Sequence, residues 1–593
     1  MRAIPAPRPE EVRPWRRRAV LCLLGLGAMA VMARAFELQV VERDFLTQEG
    51  NKRQIRTMII PAHRGAIVDR RGEALALSAP VESIWAVPSA LLESPQHVYA
   101  LAKLLERNPR EFDQFLRERT DRKFVYISEP LSPAEAKRIL SMKAPGVFSE
   151  PAYARYYPAG EVAGQLVGFC GRDGTGLEGI ERANEAALTG KSGSRQVIRD
   201  RQGRVVEDAI ASAEALPGRD VELTIDLRIQ YLAYRELKAA VAERNAKGGL
   251  AVIADAATGE ILAIASQPGF NPNNPSDRTS TGTRNRAIVD SFEPGSTVKP
   301  LLIAQALELG LFQPTSRIDT SPGTFKVGAL TVHDVHPNGE LDLAGILSKS
   351  SNVGAAKIGL TLGAENVWNG YQKFGLGEPV YSGFPGEAAP LLRHFSEWGQ
   401  IATATASYGY GLSLNALHLV RAYAALANDG LMPQLRLVRD AAHMPPQRAI
   451  SADTAREVRL LLERVVAPGG TGLRAAIPGY RVAGKSGTVR KISGGGGYAD
   501  DRHQAVFIGM VPAERPRLVG LVVIDEPSAD AYYGGVVSAP VFSRMMQGAA
   551  RLLQVPPDDV PEPAGQIVAT IPPPAAIHAA ALTTPPPAAR PHT

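Results

Sequence analysis

Cysteine is almost absent: Cys22 and Cys170 are the two in 593 residues. That excludes a disulfide scaffold and a cysteine-rich zinc site. A basic surface is missing as well. The net charge is +6, but residues 1–18 hold six arginines against two glutamates, so most of the excess sits there and the rest is close to neutral. Nothing in that balance indicates a nucleic-acid surface. Hydrophobic residues make up 45% and charged residues 21%, which excludes a wholly disordered chain, a collagen-like chain and a multi-span membrane protein. The length allows two to four domains at about 150 residues each.

One apolar run stands near the start. Arg16-Arg17-Arg18 precede Ala19 to Ala33, which carry no charge. Past Arg34, expected to snorkel, the residues Phe36, Leu38, Val40 and Val41 lengthen the run toward a membrane span. Residues 19–41 therefore read as an anchor, with 1–18 cytoplasmic and the remainder outside by the positive-inside rule. A cleaved signal peptide is the competing reading, because Ala33-Arg34-Ala35 looks like a cleavage site. In either case Cys22 and Cys170 cannot pair, and Cys170 is expected to be a packed thiol.

Three further regions follow. Residues 42–218 mix short β-type runs (Ala66–Val68, Val81–Val87) with helix candidates such as Val98–Glu106. In residues 219–554, strand-like runs at Leu250–Ala254, Ile261–Ser266, Ala505–Val511 and Leu518–Asp525 bracket a mainly helical middle. Leu227–Asn245 has apolar residues at helical spacing. Strands at both ends of such a segment predict one sheet with helices on its faces. Residues 555–593 hold 11 of the 46 prolines and read as a disordered tail.

Ser296-Thr297-Val298-Lys299 follows the turn Pro294-Gly295 and opens an apolar helix, which would put Lys299 one turn beyond Ser296 on the same face. A serine hydroxyl needs a neighbouring base, and a lysine serves if burial, a second cation or the helix dipole lowers its pKa. Alone this motif is common. Ser350-Ser351-Asn352 alone reads as a helix cap, and Lys485-Ser486-Gly487-Thr488 as a strand before the glycine run Gly494–Gly497. Gly487 would let a substrate backbone lie close. Lys191-Ser192-Gly193 also matches part of the third motif and reads as a loop.

Together, in this order, the three motifs resemble the signature of the penicillin-interacting serine acyltransferases. Phe292–Pro300, Lys349–Gly354, Tyr408–Leu412 and Tyr532–Gly535 resemble the class B penicillin-binding proteins, as do Arg64–Gly72, Arg155–Pro158 and Gly176–Glu181 nearer the N-terminus. The stretches His333–His336 and Ile524–Pro527 resemble the division-specific branch more than the elongation branch. The third motif departs from many members in carrying Ser486 in place of Thr.

The resemblance implies a single transmembrane helix, an α+β pedestal over residues 42–218, and over 219–554 an α/β serine β-lactamase/transpeptidase-like domain with an antiparallel sheet flanked by helices. It implies a peptidoglycan D,D-transpeptidase acting on stem peptides that end in D-Ala-D-Ala, inhibited by β-lactams, with no cofactor and no metal. Ser296 would be the nucleophile and Lys299 its base. Ser350 would relay a proton to the leaving amine, Asn352 would bond the substrate amide, and Lys485 would hold Ser350. Backbone N–H groups of Ser296 and Thr488 would form the oxyanion hole. Ser486, Gly487, Thr488, Arg490, Tyr410, Tyr532 and Tyr533 would line the substrate site. A membrane-embedded glycan polymerase is the expected partner, contacted by Arg64–Gly72, among other division proteins. A D,D-carboxypeptidase or β-lactamase-like hydrolase, an elongation-type transpeptidase and a non-catalytic scaffold are the rival readings.

Overall fold

The computed structural model describes residues 14–46, 55–199, 205–279, 281–441, 444–492, 497–528 and 531–558. The first thirteen residues, Gly494–Gly496 and the tail from Asp559 onward, each the subject of an expectation above, lie outside the described residues.

Helix α1 (Pro14–Phe36) continues as a π-type turn to Val41, and this 28-residue stretch is long and apolar enough to cross a membrane. Its large side chains, among them Leu23 and Val31, are exposed rather than packed on the protein. The helix starts earlier than expected, taking in Arg16–Arg18. Arg34, expected to snorkel, pairs with Glu37 one turn on at 2.6 Å.

The pedestal is built on a long strand, Ala74–Ala86, paired antiparallel with Val147–Tyr156 over ten residue pairs. One face of this ribbon, through Ile84 and Ala86, closes on helices between residues 88 and 141 around Leu91, Leu101, Phe112 and Ile139. The helix expected at Val98–Glu106 runs from Pro95 to Leu104. Strand Val221–Glu222 joins Ile67–Val68 in parallel. Lys191, expected in a loop, bridges Leu216, and Gly193 begins a strand paired with Ile55–Ile60. Cys170 is buried, and burial pushes its thiol up to about 12.

In the larger domain, helix α2 (Leu227–Glu243) precedes strands β1 (Gly248–Asp255) and β2 (Ile261–Gln267). Then come α3 (Lys299–Glu308), α4 (Leu343–Lys349), α5 (Asn352–Leu362), α6 (Ala416–Ala427) and α7 (Ala452–Val466). Strands β3 (Ala483–Ile492), β4 (Tyr498–Val511) and β5 (Leu518–Asp525) and helix α8 (Ala539–Leu552) complete it. The sheet is antiparallel throughout, in the order β2-β1-β5-β4-β3, so the N- and C-terminal pieces meet at β1 and β5. Every residue of β1 and β5 is buried, as a sheet covered on both faces requires. Alternation sorts them: Ala251, Ile253, Val522 and Ile524 pack with α2 and α8. Leu250, Val252, Leu521 and Val523 pack with the helical middle, whose centre is the fully buried α6.

The two domains are stitched by Asp69. Its Oδ1 accepts from the backbone N–H of Arg71 (2.7 Å) and Glu73 (2.9 Å), and its Oδ2 from Leu227 N at the start of α2 (2.9 Å). A pedestal side chain thus caps the first helix of its neighbour. Arg64 is equally committed, to Glu181 and Glu185 at 2.8 Å each. Of the segment expected to meet a polymerase, Arg64 and Asp69 face inward; Arg71 and Gly72 face out, as does Glu73 just beyond it. Asp69→Ala is expected to cost about 1–3 kcal/mol, by leaving three partly buried donors without their acceptor. Thermal unfolding of the full chain checks this, and an unchanged midpoint would count against the stitch.

Candidate active site

The residues before Ser296 are held from two sides. Phe292 exchanges both backbone hydrogen bonds with Leu414, at 2.8 and 2.9 Å, and Gly295 donates to the Gly409 carbonyl at 3.0 Å. Gly295 sits at φ +54°, a conformation that favours glycine. Residues Gly295–Val298 form a 3-10 turn, and the α-helix begins only at Lys299. Ser296 therefore lies in a turn before the helix, not at its first position as expected. The buried Tyr423 hydroxyl of α6 pins that turn, donating to the Thr297 carbonyl at 2.8 Å.

The Lys299 side chain is fully buried. Its Nζ donates to the Ser350 carbonyl at 2.6 Å, to Asn352 Oδ1 at 2.8 Å and, at 3.4 Å, to Ser350 Oγ. Lys485, also fully buried, donates to Ser350 Oγ at 3.0 Å and to the Ser486 carbonyl at 2.7 Å. One hydroxyl thus stands between two buried amines. Burial pushes Lys299 well below the ordinary lysine range, and the neighbouring Lys485 cation adds to this; Asp334 opposes it. Burial brings Lys485 down to about 7. A buried lysine held neutral is a base.

Ser350 ends α4 in the left-handed region, φ +57°, and Ser351 caps α5, its Oγ accepting from Gly354 N at 2.9 Å. The bland expectation of a helix cap is thus correct in geometry, and the cap is also what aims the motif. Asp334 fixes it. Its Oδ2 accepts from Ser351 Oγ at 2.6 Å, and its Oδ1 from Asn352 N at 2.6 Å and Val353 N at 2.9 Å. Asn352 Nδ2 donates to the His333 carbonyl at 3.0 Å. Both ends of the Asn352 amide thus have protein partners, each with one bonding site left for a substrate.

On β3, Ser486 Oγ, expected at a substrate carboxylate, turns to Thr471 Oγ1 at 2.9 Å. Thr471 N donates to the Ser348 carbonyl at 3.1 Å, so this loop ties β3 to α4. Sequence reasoning missed Thr471, whose only signal was its place in the glycine-rich stretch Gly469–Gly472. The Thr488 hydroxyl accepts from Gly534 N at 3.1 Å, which leaves its proton to donate. Gly487 has a use beside the one expected: a Cβ there would lie 3.0 Å from Thr297 Cγ2, so its smallness lets β3 press on the Ser296 turn.

β3 is an edge strand. The exposed Arg490 brings its backbone close to the Tyr410 hydroxyl. Strand alternation turns the Thr488 N–H to the same side of β3 as that of Arg490. Tyr410 packs edge-on against Tyr408 and Tyr498, with ring centres 5.8 and 5.2 Å away. Tyr532 and Tyr533 are exposed and stacked at 4.6 Å, with His503 over Tyr532 at 4.2 Å. The structure thus gathers Lys299, Ser350, Asn352 and Lys485 into one hydrogen-bonded cluster. Ser486 points away from it.

Comparison with known proteins agrees with this geometry. The penicillin-binding protein transpeptidase domain matches residues 249–547, and the penicillin-binding protein dimerisation domain residues 59–223. A probable peptidoglycan D,D-transpeptidase PenA of Neisseria gonorrhoeae is 42% identical over 545 residues, 90% of this chain and 92% of that one. The peptidoglycan D,D-transpeptidase FtsI of Escherichia coli K12 is 39% identical over 91% of this chain and 92% of its own. Penicillin-binding protein 3 of Mycobacterium tuberculosis, solved with aztreonam, superposes with a TM-score of 0.65 at 29% identity, covering 84% of this chain and 98% of that one. Two matched domains, a shared architecture and the three motifs assembled at one sheet edge make the chain a member of the class B penicillin-binding proteins.

Proposed function

We propose that the chain is a peptidoglycan D,D-transpeptidase that cross-links stem peptides at the division septum through an acyl-enzyme on Ser296. The observation that carries this reading is the Ser350 hydroxyl held between two buried lysines beside the Ser296 turn. Lys299, its pKa lowered by burial, takes the serine proton as Ser296 attacks the penultimate D-Ala carbonyl. The N–H groups of Ser296 and Thr488 hold the oxyanion. Ser350 passes a proton to the departing D-Ala amine, and Lys485 keeps that hydroxyl oriented. Asn352 bonds the peptide amide, the Thr488 hydroxyl and Arg490 meet the terminal carboxylate, and Tyr410, Tyr532 and Tyr533 flank the peptide. A neighbouring stem-peptide amine then resolves the acyl-enzyme. A β-lactam enters the same path and stalls as the acyl-enzyme.

The relatives named FtsI support the division branch over the elongation branch. The apolar α1 behind three arginines supports a single-pass anchor in the inner membrane with the catalytic domain periplasmic. The boundaries 1–18, 19–41, 42–218, 219–554 and 555–593 remain our division of the chain, with α1 reaching back to Pro14 and the pedestal sheet reaching on to Val221–Glu222. A membrane-embedded polymerase would meet the outward turn Arg71–Glu73, not the buried Asp69.

The test is a fluorescent penicillin on the detergent-solubilised full chain, with the labelled residue mapped by mass spectrometry. Long-lived label on Ser296, absent from Ser296→Ala, is the expected result. Label that forms and vanishes within seconds would favour a hydrolase, and no label on folded protein would remove the catalytic reading.

A further inference from the structure

Glu293, three residues before the nucleophile, is a carboxyl the mechanism above does not use. Its Oε1 accepts from Gly411 N at 2.8 Å and from the Tyr498 hydroxyl at 3.1 Å. Its Oε2 is buried without a partner among the described residues. Burial raises its pKa. A buried carboxyl oxygen left unbonded costs free energy, so stability alone does not favour this residue here. What it does is geometric. Gly411 belongs to the turn Tyr408–Gly411, and Tyr498 opens β4 at the mouth of the β3–β4 hairpin. A single oxygen therefore joins that turn and the hairpin mouth to the segment carrying Ser296. The contact is tight: a Cβ on Gly409 would lie 2.0 Å from the Gly295 carbonyl oxygen, so any shift of the turn passes directly to the backbone beside Ser296. Tyr410, in the same turn, packs on Tyr498 and lies close to the Arg490 backbone.

We propose that Glu293 is a positioning residue for acylation: through Oε1 it sets the distance between the Ser296 turn and the open edge of β3. This rests on acylation at Ser296, as proposed above. In this role the carboxyl acts as an acceptor, not as a charge, so a neutral amide of the same shape replaces it.

The experiment uses the solubilised full chain and a fluorescent penicillin, separating the noncovalent dissociation constant from the acylation rate constant. Glu293→Ala is expected to slow acylation about 10- to 100-fold, the scale of a small misplacement of reacting groups, with the dissociation constant within about threefold. Glu293→Gln should restore the rate to within about threefold of the wild type, by keeping the acceptor oxygen. Tyr498→Phe, which removes one hydroxyl and tests the same link if Glu293→Ala folds poorly, should slow acylation several-fold. Glu293→Ala acylating at the wild-type rate, Glu293→Gln as slow as the alanine variant, or Tyr498→Phe at the full rate would each overturn the proposal. Wild-type protein unlabelled at Ser296 would instead defeat the reading on which it rests.

Discussion

Lys299→Met is expected to lower the acylation rate by about 10²- to 10⁴-fold, the usual contribution of a general base. Methionine fills the buried space and removes only the amine. The same substitution should change how stability depends on pH, and the sign can be worked out. Lys299 is pushed well below its ordinary pKa by burial. Between that lowered value and the ordinary one the unfolded chain carries a proton that the folded chain lacks. Stability therefore rises with pH across this window, by up to about 1.4 kcal/mol per pH unit for one group. Lys485, brought to about 7, adds to the same slope above neutrality. Lys299→Met should remove one group's share of it, leaving Lys485's. Thermal unfolding from pH 6 to 9, beside penicillin labelling, reads both effects. Labelling at the wild-type rate, or a pH slope that does not flatten, would refute the assignment.

Asp334 should carry the next largest effect. It holds the Ser350–Val353 turn by three hydrogen bonds, and two of these satisfy donors at the start of α5. Asp334→Ala is expected to slow acylation about 100-fold by releasing the turn that aims Ser350 and Asn352. It should also cost about 1–2 kcal/mol as a lost cap. Asp334→Asn separates geometry from charge. Its amide oxygen can still accept from both backbone N–H groups, while the negative charge that raises the Lys299 pKa is gone. The acid limb of the acylation rate should then move to lower pH. An unmoved limb would show that Asp334 acts on geometry alone, and a fast Asp334→Ala would show that it does not act on the turn.

The central strands were legible because β1 and β5 are runs of buried, mainly apolar residues, each closed by an aspartate. The pairing of the chemical motifs was legible only through their order, since each alone reads as a helix start, a cap or a strand. Ser351 illustrates why: it is a helix cap, and capping α5 is how Asn352 comes to face Lys299. The start of α3 was misjudged because Pro300 is compatible with the first helical turn wherever that turn begins; the hydrogen bond of Tyr423 to Thr297, 126 residues away, holds the 3-10 turn. Thr471 and Tyr498 were invisible for the same reason, since their partners lie 15 and 205 residues distant. The packing of Gly487 on Thr297 was not legible, because a neighbour across the fold cannot be inferred from local spacing.

The unpaired edge of β3 has one more consequence. An edge that accepts an extended peptide offers the same hydrogen bonds to any other extended chain, including a second copy of this protein. Here the hazard is limited by brevity. The Tyr410 hydroxyl lies close to the Arg490 backbone at one end of that edge. What stays open is a register of a few residues around Thr488, enough for the end of one peptide and too short to seed a growing sheet. The tyrosine at that end shortens the edge open to another chain.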